Sequence, residues 1–466
     1  MPRGCPNISG LVFPVWHCEK LRPRIDLPPP FAHYVGCSIQ GVTPLMAQER
    51  SAEHDRSRSI PLEQVQARVV GLLENDTESA VADAVDLIIA QGAYYGASDL
   101  HFEPWAESLS LRFRIDGMLQ QVATIPRQFQ PKIMARIKVL ADLVLYRKDI
   151  PQDGRIEADK VSCGRPMRVS TVPTVKGEKT VIRLLGDTQS LFPLDSLGFQ
   201  PHVVQSLRDL ALRTQGCILL TGPSSSGKTT TIYSILQEMM RLDRSTRNIV
   251  TVEDPVEYTM DHISQIQVNP AVEFDFAGAL RAILRQDPEV IMVGEVRDAE
   301  TATIAIRAGL TGHLVISTIH SGTASGVFTR LVDMGIEPFL VASAVTAAMA
   351  QRLVRLNCPD CTRPYAPPAV QLEHFGVAKS KKKFYRGTGC ALCQGIGYRG
   401  RASIGELFQV TDEIAEYILT RPTTTKLQDR ACANGMETLQ DDGLLKAQKG
   451  ITTLDELLRV LPVGMI

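Results

Sequence analysis

One stretch, LLTGPSSSGKTTTIYSIL at residues 219–236, constrains the fold more than any other. An apolar run stops at a loop of small residues, and a lysine and three threonines then open a segment with helical spacing. Gly222 to Thr229 fits the pattern G-x-x-x-x-G-K-[ST]. Glycines let successive backbone N–H groups turn inward around an anion with no Cβ in the way. The following helix aims its positive end at the same anion. Gly222, Pro223, Ser224, Ser225, Ser226 and Gly227 would form such a cradle. Lys228 can reach the β- and γ-phosphates, and the Thr229 hydroxyl can bind Mg²⁺. A nucleotide with Mg²⁺ is the expected ligand. The plainer alternative, a chance match in a glycine-containing loop, is opposed by the strand before the loop and the helix after it.

From about residue 200 to 350, four short apolar strands can be read: CILLTG, NIVTVED, VIMVGE and HLVISTIH, with helical stretches between them. This pattern predicts a mostly parallel sheet with helices on both faces. Ligands of such sheets sit at the carboxyl ends of the strands, and each of these strands ends in reactive chemistry. One ends in Glu253–Asp254 with Glu257 close behind, one in Gly294–Glu295, and one in Thr318 and His320. A carboxylate there can hold a metal's water shell or orient an attacking water. Taken singly, Glu253 and Asp254 could cap a turn and His320 could be a satisfied core histidine. Four strands ending alike point to one shared site.

Before this region, helical spacing of Val81, Val85, Ile88 and Ile89, with Asn75 and Glu78 placed to cap the start, gives way to short alternating stretches. SDLHFEP, LSLRFRIDG, RPMRVSTVP and KTVIRLL, separated by turn residues, predict a small α+β domain over residues 76–186. Residues 187–199 read as a linker, and 200–354 as the α/β domain. Residues 1–75 show a proline run, mixed charge and little periodicity, and are expected to be irregular or disordered. IGELFQVTDEIAEYIL and TLDELLRVL predict a helical C-terminal region over 401–466.

Formal net charge is −1, without the basic excess that gripping bare nucleic acid calls for, so no nucleic-acid partner is expected. No window reaches the roughly 18 apolar residues of a membrane span. The N-terminal run LVFPVW is a poor signal peptide. A cytoplasmic protein with at most a peripheral membrane role is expected. Four of the ten cysteines form two tight pairs, Cys358/Cys361 and Cys390/Cys393, separated by a 28-residue insert. Four thiolates in that arrangement can close a tetrahedral Zn²⁺ site over residues 355–400; a reduced or redox-active pair is the alternative. The insert carries KSKKKF, Lys379 to Phe384. It reads either as a solvated loop or as a contact for anionic phospholipid headgroups.

These motifs together resemble the secretion ATPase superfamily, the hexameric motors of type II secretion and type IV pilus assembly. The resemblance runs from about residue 77 to the C-terminus. GPSSSGKTT is similar to the family's Walker A loop, TVEDPVEY to its Asp box, LRQDPEVIMVGEVRD to its Walker B and GLTGHLVISTIH to its His box. SDLHFEP, RFRIDG, IPQDGRI and RVSTVPTVKGEKTVIRLL resemble the preceding domain; QRLVRLNCPDC and GCALCQGIGYRGR resemble the zinc-binding region.

The resemblance implies a RecA-like P-loop NTPase core preceded by a small PAS-like α+β domain, with a zinc lobe and a helical tail. It implies that the nucleotide is ATP, that Lys228, Thr229 and Thr230 grip phosphates and Mg²⁺, that Glu253 orients or deprotonates the attacking water, and that Glu295 serves the metal's outer shell. His313 and His320 would sense the γ-phosphate. Arg168 and Arg183 would reach the phosphates from the first domain; without the resemblance, arginines on short exposed strands simply face solvent. It also implies a homo-hexamer that works peripherally on the inner membrane, with a platform protein and membrane-anchored secretion components as partners. Type II secretion is the first expectation and type IV pilus assembly the alternative; a RecA-like nucleic-acid motor is the remote one. Ser225 departs from the glycine common at its position in the loop.

Overall fold

The computed structural model describes residues 60–75, 77, 79–185, 192–243, 246–377 and 383–461. Cys5, Cys18 and Cys37 and residues 379–382 of the basic stretch lie outside them. Among the described residues no helix is long and apolar enough to cross a membrane.

The first domain starts earlier than residue 76. Helix α1 (Leu62–Glu74) replaces the irregular segment expected there. Val65, Val69 and Leu73 recur every fourth residue and are all buried, which places one stripe of the helix against a core. Asn75 closes α1, and α2 (Ala80–Tyr94) begins after Ser79 rather than after Asn75. The sheet comprises β1 (Ala97–Pro104), β2 (Ser108–Ile115), β3 (Met118–Pro126), β4 (Gln152–Ile156), β5 (Met167–Thr174) and β6 (Gly177–Leu184), in the order β3-β2-β1-β6-β5-β4. Its pairings are all antiparallel. Helix α3 (Gln130–Leu140) lies between β3 and β4 in sequence.

Alternation sorts this sheet into two unlike faces. Leu100, Phe102, Leu111, Phe113, Val169 and Ile182 share a core with the three helices. The intervening positions carry charge: Asp99, His101 and Glu103 on β1, Arg112 and Arg114 on β2, Arg168 on β5, and Lys179 and Arg183 on β6. That charged face is the one relevant to the site.

The linker is ordered from Phe192 onward. Leu194, Leu197 and Phe199 bury into the second domain, and the Ser234 hydroxyl donates to the Phe192 carbonyl at 2.7 Å. After α4 (Pro201–Ala211) come β7 (Gly216–Thr221), α5 (Lys228–Leu242), β8 (Ile249–Glu253), β9 (Ser264–Gln267), α6 (Phe276–Ile283), β10 (Val290–Val296), α7 (Ala299–Leu310), β11 (Leu314–Ile319), α8 (Ser325–Asp333), α9 (Pro338–Ala344) and β12 (Val345–Asn357). The four expected strands sit together in a larger sheet, ordered β15-β12-β7-β11-β10-β8-β9. Strand β7 is central. Cys217 and Leu219 enter one core and Ile218 and Leu220 the other, as a strand covered on both faces requires.

Strand β15 (Tyr398–Gln409) corrects the expected helical tail. It pairs antiparallel with β12. A short apolar run does not declare its period, and here the sheet edge beside β12 takes it. Gly405 admits Phe199 so closely that an added Cβ would lie 2.9 Å from its ring. Helical structure resumes after it as α11 (Asp412–Leu419), α12 (Thr424–Ala433), α13 (Leu439–Gln448) and α14 (Leu454–Val460), counting the short α10 (Ala369–His374) before it. Buried Glu456 bonds Arg355 on β12 and ties α14 to the sheet.

Removing residues 60–74 should strip three buried side chains from the first domain, at about 1.5–3 kcal/mol each. A chain beginning at Asn75 is expected to show lost amide protection across β1–β3 in hydrogen exchange. Unchanged protection there would mean that α1 contributes nothing to the domain.

Candidate functional site

The loop between β7 and α5 turns through three residues in the left-handed region: Gly222 (φ 149°), Ser225 (φ 60°) and Gly227 (φ 89°). Its tightness comes from β12. A Cβ on Gly222 would lie 2.5 Å from the Gln351 carbonyl oxygen, and one on Gly227 2.7 Å from Gln351 Nε2. Gln351 also accepts from the Thr231 hydroxyl at 2.9 Å. Arg352 donates to the carbonyls of Gln351 and Gly322. Sequence reasoning gave QRLVRLN to the zinc region; its first two residues back the phosphate loop instead. Only the β12–β7 pairing reveals this.

Lys228 folds back to donate to Gly222 O at 2.9 Å and Pro223 O at 3.0 Å. Burial lowers its pKa, the nearby Arg352 charge adds to the effect, and Glu295 opposes it. The Ser226 hydroxyl is buried with no partner among the described residues. A cationic amine resting on carbonyls and an orphaned buried hydroxyl in a glycine-bent loop suit an incoming phosphate.

A cleft of about 230 Å³ opens beside the loop. Ser224, Ser225, Lys228 and Thr229 line it, with Glu253, Asp254 and Glu257 after β8, Gly294 and Glu295 from β10, and Thr318 and His320 from the end of β11. The acids that the sequence placed at strand ends therefore share one cavity with the loop. They differ in state. Glu253 is buried, and its carboxylate accepts from the Tyr233 hydroxyl (2.5 Å), the Thr251 hydroxyl (2.6 Å) and Gln265 Nε2 (3.2 Å). Glu295 pairs with Arg297, which holds its pKa down, and lies 3.6 Å from His320 Nε2. Glu257 is raised: burial dominates, Arg183 opposes it, the Glu253 charge reinforces it and Arg168 opposes it. Tyr233, Gln265 and Arg297 had no distinguishing sequence signal, since tyrosine on a helix or glutamine on a strand reads as ordinary surface or core.

Arg183 and Arg168 of the first domain do not line the cleft, although their charges oppose the rise at Glu257. His313 lies further off. It precedes β11, where its carbonyl accepts from Gly216 N at the start of β7 and its Nδ1 lies 3.1 Å from Ala308 O. Six strand residues at about 3.3 Å each separate it from the carboxyl-end cleft, so within one chain it does not join the site.

The four cysteines come together as a separate centre. Their sulfurs all lie within 4.8 Å of one another, and the pairs Cys358–Cys390, Cys361–Cys393 and Cys390–Cys393 stand at 3.7 Å. That is far beyond a disulfide. It matches the edge, about 3.8 Å, of a tetrahedron with Zn–S bonds of about 2.3 Å. Burial opposes ionisation of Cys393, but backbone N–H groups of Cys390 and Gly397 outweigh it and draw the thiol to about 7. The donor set fits zinc and leaves no open position. Phe384, at the end of the basic stretch, is buried and begins β14 (Phe384–Gly387), which pairs with β13 (Thr362–Tyr365).

The family model described as "Type II/IV secretion system protein" matches residues 74–459. Type II secretion system ATPase E of Vibrio cholerae is 46% identical over 393 residues, covering 84% of this chain and 77% of that protein. Type II secretion system protein HxcR of Pseudomonas aeruginosa is 45% identical, covering 84% and 80%. Type IV pilus assembly ATPase PilB of Thermus thermophilus is 42% identical, covering 85% of this chain but 44% of its own length. Among solved structures, the pilus retraction motor PilT with bound ADP aligns over 82% of this chain and 97% of its own, with TM-score 0.55 and 26% identity. The Legionella pneumophila ATPase DotB, at 20% identity and TM-score 0.60 over 81% and 93%, shares the fold.

Two outcomes follow from these geometries. Ser225 holds a left-handed backbone that glycine adopts freely, so Ser225→Gly should raise stability by about 1 kcal/mol without loss of ATP turnover; a lower melting temperature would show that Ser225 is not strained. The purified chain should carry one zinc per protomer by elemental analysis, and Cys361→Ser should lower that content. Equal zinc in both would remove the cluster as its ligand set.

Proposed function

The chain belongs to the type II/IV secretion system protein family, and from that premise we propose that this ATP hydrolase powers type II protein secretion by driving pseudopilus assembly. It works as a homo-hexamer at the cytoplasmic face of the inner membrane, through a platform protein and membrane-anchored secretion components. The observation that carries the reading is the joint placement of the phosphate loop, Glu253, Glu257, Glu295 and His320 around one cleft. Relatives named for type II secretion align over 77–80% of their length, against 44% for the pilus-assembly ATPase, which favours the secretion branch.

The roles follow from position and charge. Backbone amides of Gly222 to Gly227 and the start of α5, with Thr230, receive phosphate oxygens, and Lys228 leaves its carbonyls for them. Thr229 and Glu295 are suited to hold Mg²⁺ directly and through its waters, and the ion when bound neutralises phosphate charge. The family role for Glu253 is orienting the attacking water. Three donors, the Tyr233 and Thr251 hydroxyls and Gln265 Nε2, hold its carboxylate in place for that role. Glu257 shares the cleft, and burial raises its carboxyl above the ordinary carboxylate range. His320, beside Glu295, is placed to register the terminal phosphate. Arg168 and Arg183 close the site from the other domain, so that nucleotide joins two rigid bodies and loss of the terminal phosphate releases them. The zinc centre staples its lobe and takes no part in the chemistry. The basic stretch before Phe384 reads as a solvated loop, with contact to anionic phospholipid headgroups as the alternative.

Lys228→Ala should lower ATP turnover at least about 100-fold and abolish export in a strain that depends on this chain. Preservation of both activities would defeat the motor reading; loss of turnover with export intact would detach the ATPase from secretion.

A further inference from the structure

The charged face of the first sheet contains one row whose register is fully specified. Arg114 lies opposite Asp99, Asp99 opposite Arg183, Arg183 opposite Arg168, and Arg168 opposite Arg155. Directly opposed residues share a face, so five neighbouring strands present four guanidinium groups and one carboxylate in a line. Strands are spaced at about 4.8 Å, and like charges directly opposed repel. Asp99 is the single negative group of the row, and its side chain is only 8% exposed.

The way Asp99 binds matters more than its charge alone. Its Oδ1 accepts from Arg183 Nε at 2.9 Å. Its Oδ2 accepts from the Ser98 hydroxyl at 2.8 Å and lies 3.7 Å from Arg114 Nε. The two terminal nitrogens of Arg183 make no hydrogen bond to any described residue, and the side chain is 62% exposed. A carboxylate that grips the side of a guanidinium leaves its fork open to a second anion. The Arg183 charge also acts on Glu257 in the cleft, more strongly than that of Arg168. Arg183 is thus held through Nε by a buried acid while its terminal nitrogens stay uncommitted among the described residues.

We propose that Asp99 is a positioning residue for ATP hydrolysis: by holding Arg183 through Nε, it presents the terminal guanidinium nitrogens to the phosphates and keeps the arginine row from splaying. It touches no nucleotide and acts only through Arg183. The proposal rests on the reading of Arg183 as a phosphate ligand.

The test is a double-mutant cycle on the full-length assembled protein, using steady-state ATP hydrolysis with Asp99→Asn, Arg183→Gln and the double variant. Arg183→Gln should lower kcat/KM by more than about tenfold, and Asp99→Asn by about three- to tenfold, as losses of charge-assisted hydrogen bonds do. In the Arg183→Gln background, Asp99→Asn should change kcat/KM by less than about twofold. A wild-type kcat/KM for Asp99→Asn, or an equal loss from it in both backgrounds, overturns the proposal while leaving Arg183 in place. A wild-type kcat/KM for Arg183→Gln instead removes the reading of Arg183 as a phosphate ligand. If Asp99→Asn does not fold, Ser98→Ala, which frees the other carboxylate oxygen, takes its place in the cycle. Its smaller loss must likewise vanish without Arg183; persistence of that loss overturns the proposal.

Discussion

Everything in this protein is arranged around a backbone that must bend the wrong way. A loop that wraps amides around phosphate needs residues in the left-handed region, and the loop after β7 has three: Gly222, Ser225 and Gly227. Such a loop does not hold its shape unaided. Strand β12 supplies the support, with the Gln351 carbonyl and side chain and the Arg352 guanidinium pressed where Cβ atoms would otherwise sit. The seven-stranded sheet is in this sense a rigid frame for six residues. Central placement of β7 between β12 and β11 brings the acids of β8 and β10 and the His320 turn to the same edge.

Much of this was legible in the sequence, and the legible parts have a common cause. Residues 222–229 are constrained locally: the turn, the lysine and the helix start are all within reach of one another along the chain. The cysteine pairs are likewise short-range, and only their meeting across the insert needed the fold. What the sequence concealed was long-range. Gln351 and Arg352 serve a loop about 130 residues away, and no local pattern marks them. IGELFQ reads equally as helix or strand until β12 offers it an edge. Residues 62–74 carried a helical stripe, but in a stretch whose composition otherwise suggested irregular chain. His313 was drawn into the site by its motif, although it stands at the far end of the very strand that delivers His320.

The two acids after β8 show how one strand end can supply unlike groups. Glu253 sits on the strand itself, where Thr251, Tyr233 from α5 and Gln265 from β9 surround it. Its hydrogen bonds join the helix after the phosphate loop to the sheet edge, so any shift of α5 is felt at Glu253. Tyr233 also packs edge-on against Tyr258 at 5.4 Å, extending that coupling into the segment that carries Glu257. Glu257 has left the strand, and the charges of Arg183 and Arg168 oppose the rise that burial gives it. One carboxylate is bonded to the helix after the phosphate loop and the other feels the charge of the neighbouring domain.

That division gives the first domain two footholds on the second, and they differ in kind. Near the cleft the attraction is electrostatic, between the Arg183 and Arg168 charges and Glu257. At the β2–β3 turn it is a fixed bond: Asp116, itself in a left-handed conformation, accepts from Gly400 N at 2.7 Å and lies 3.7 Å from Arg401 Nε. Gly400 and Arg401 begin the strand that leaves the cysteine lobe, and Cys358 N donates to Gly397 O within that lobe. The foothold at Asp116 is thus built on chain that leaves the cysteine cluster. A contact made stiff at one end and charge-dependent at the other permits rotation but resists sliding. The chain that leaves the cysteine cluster is therefore the one that carries the first domain's fixed bond.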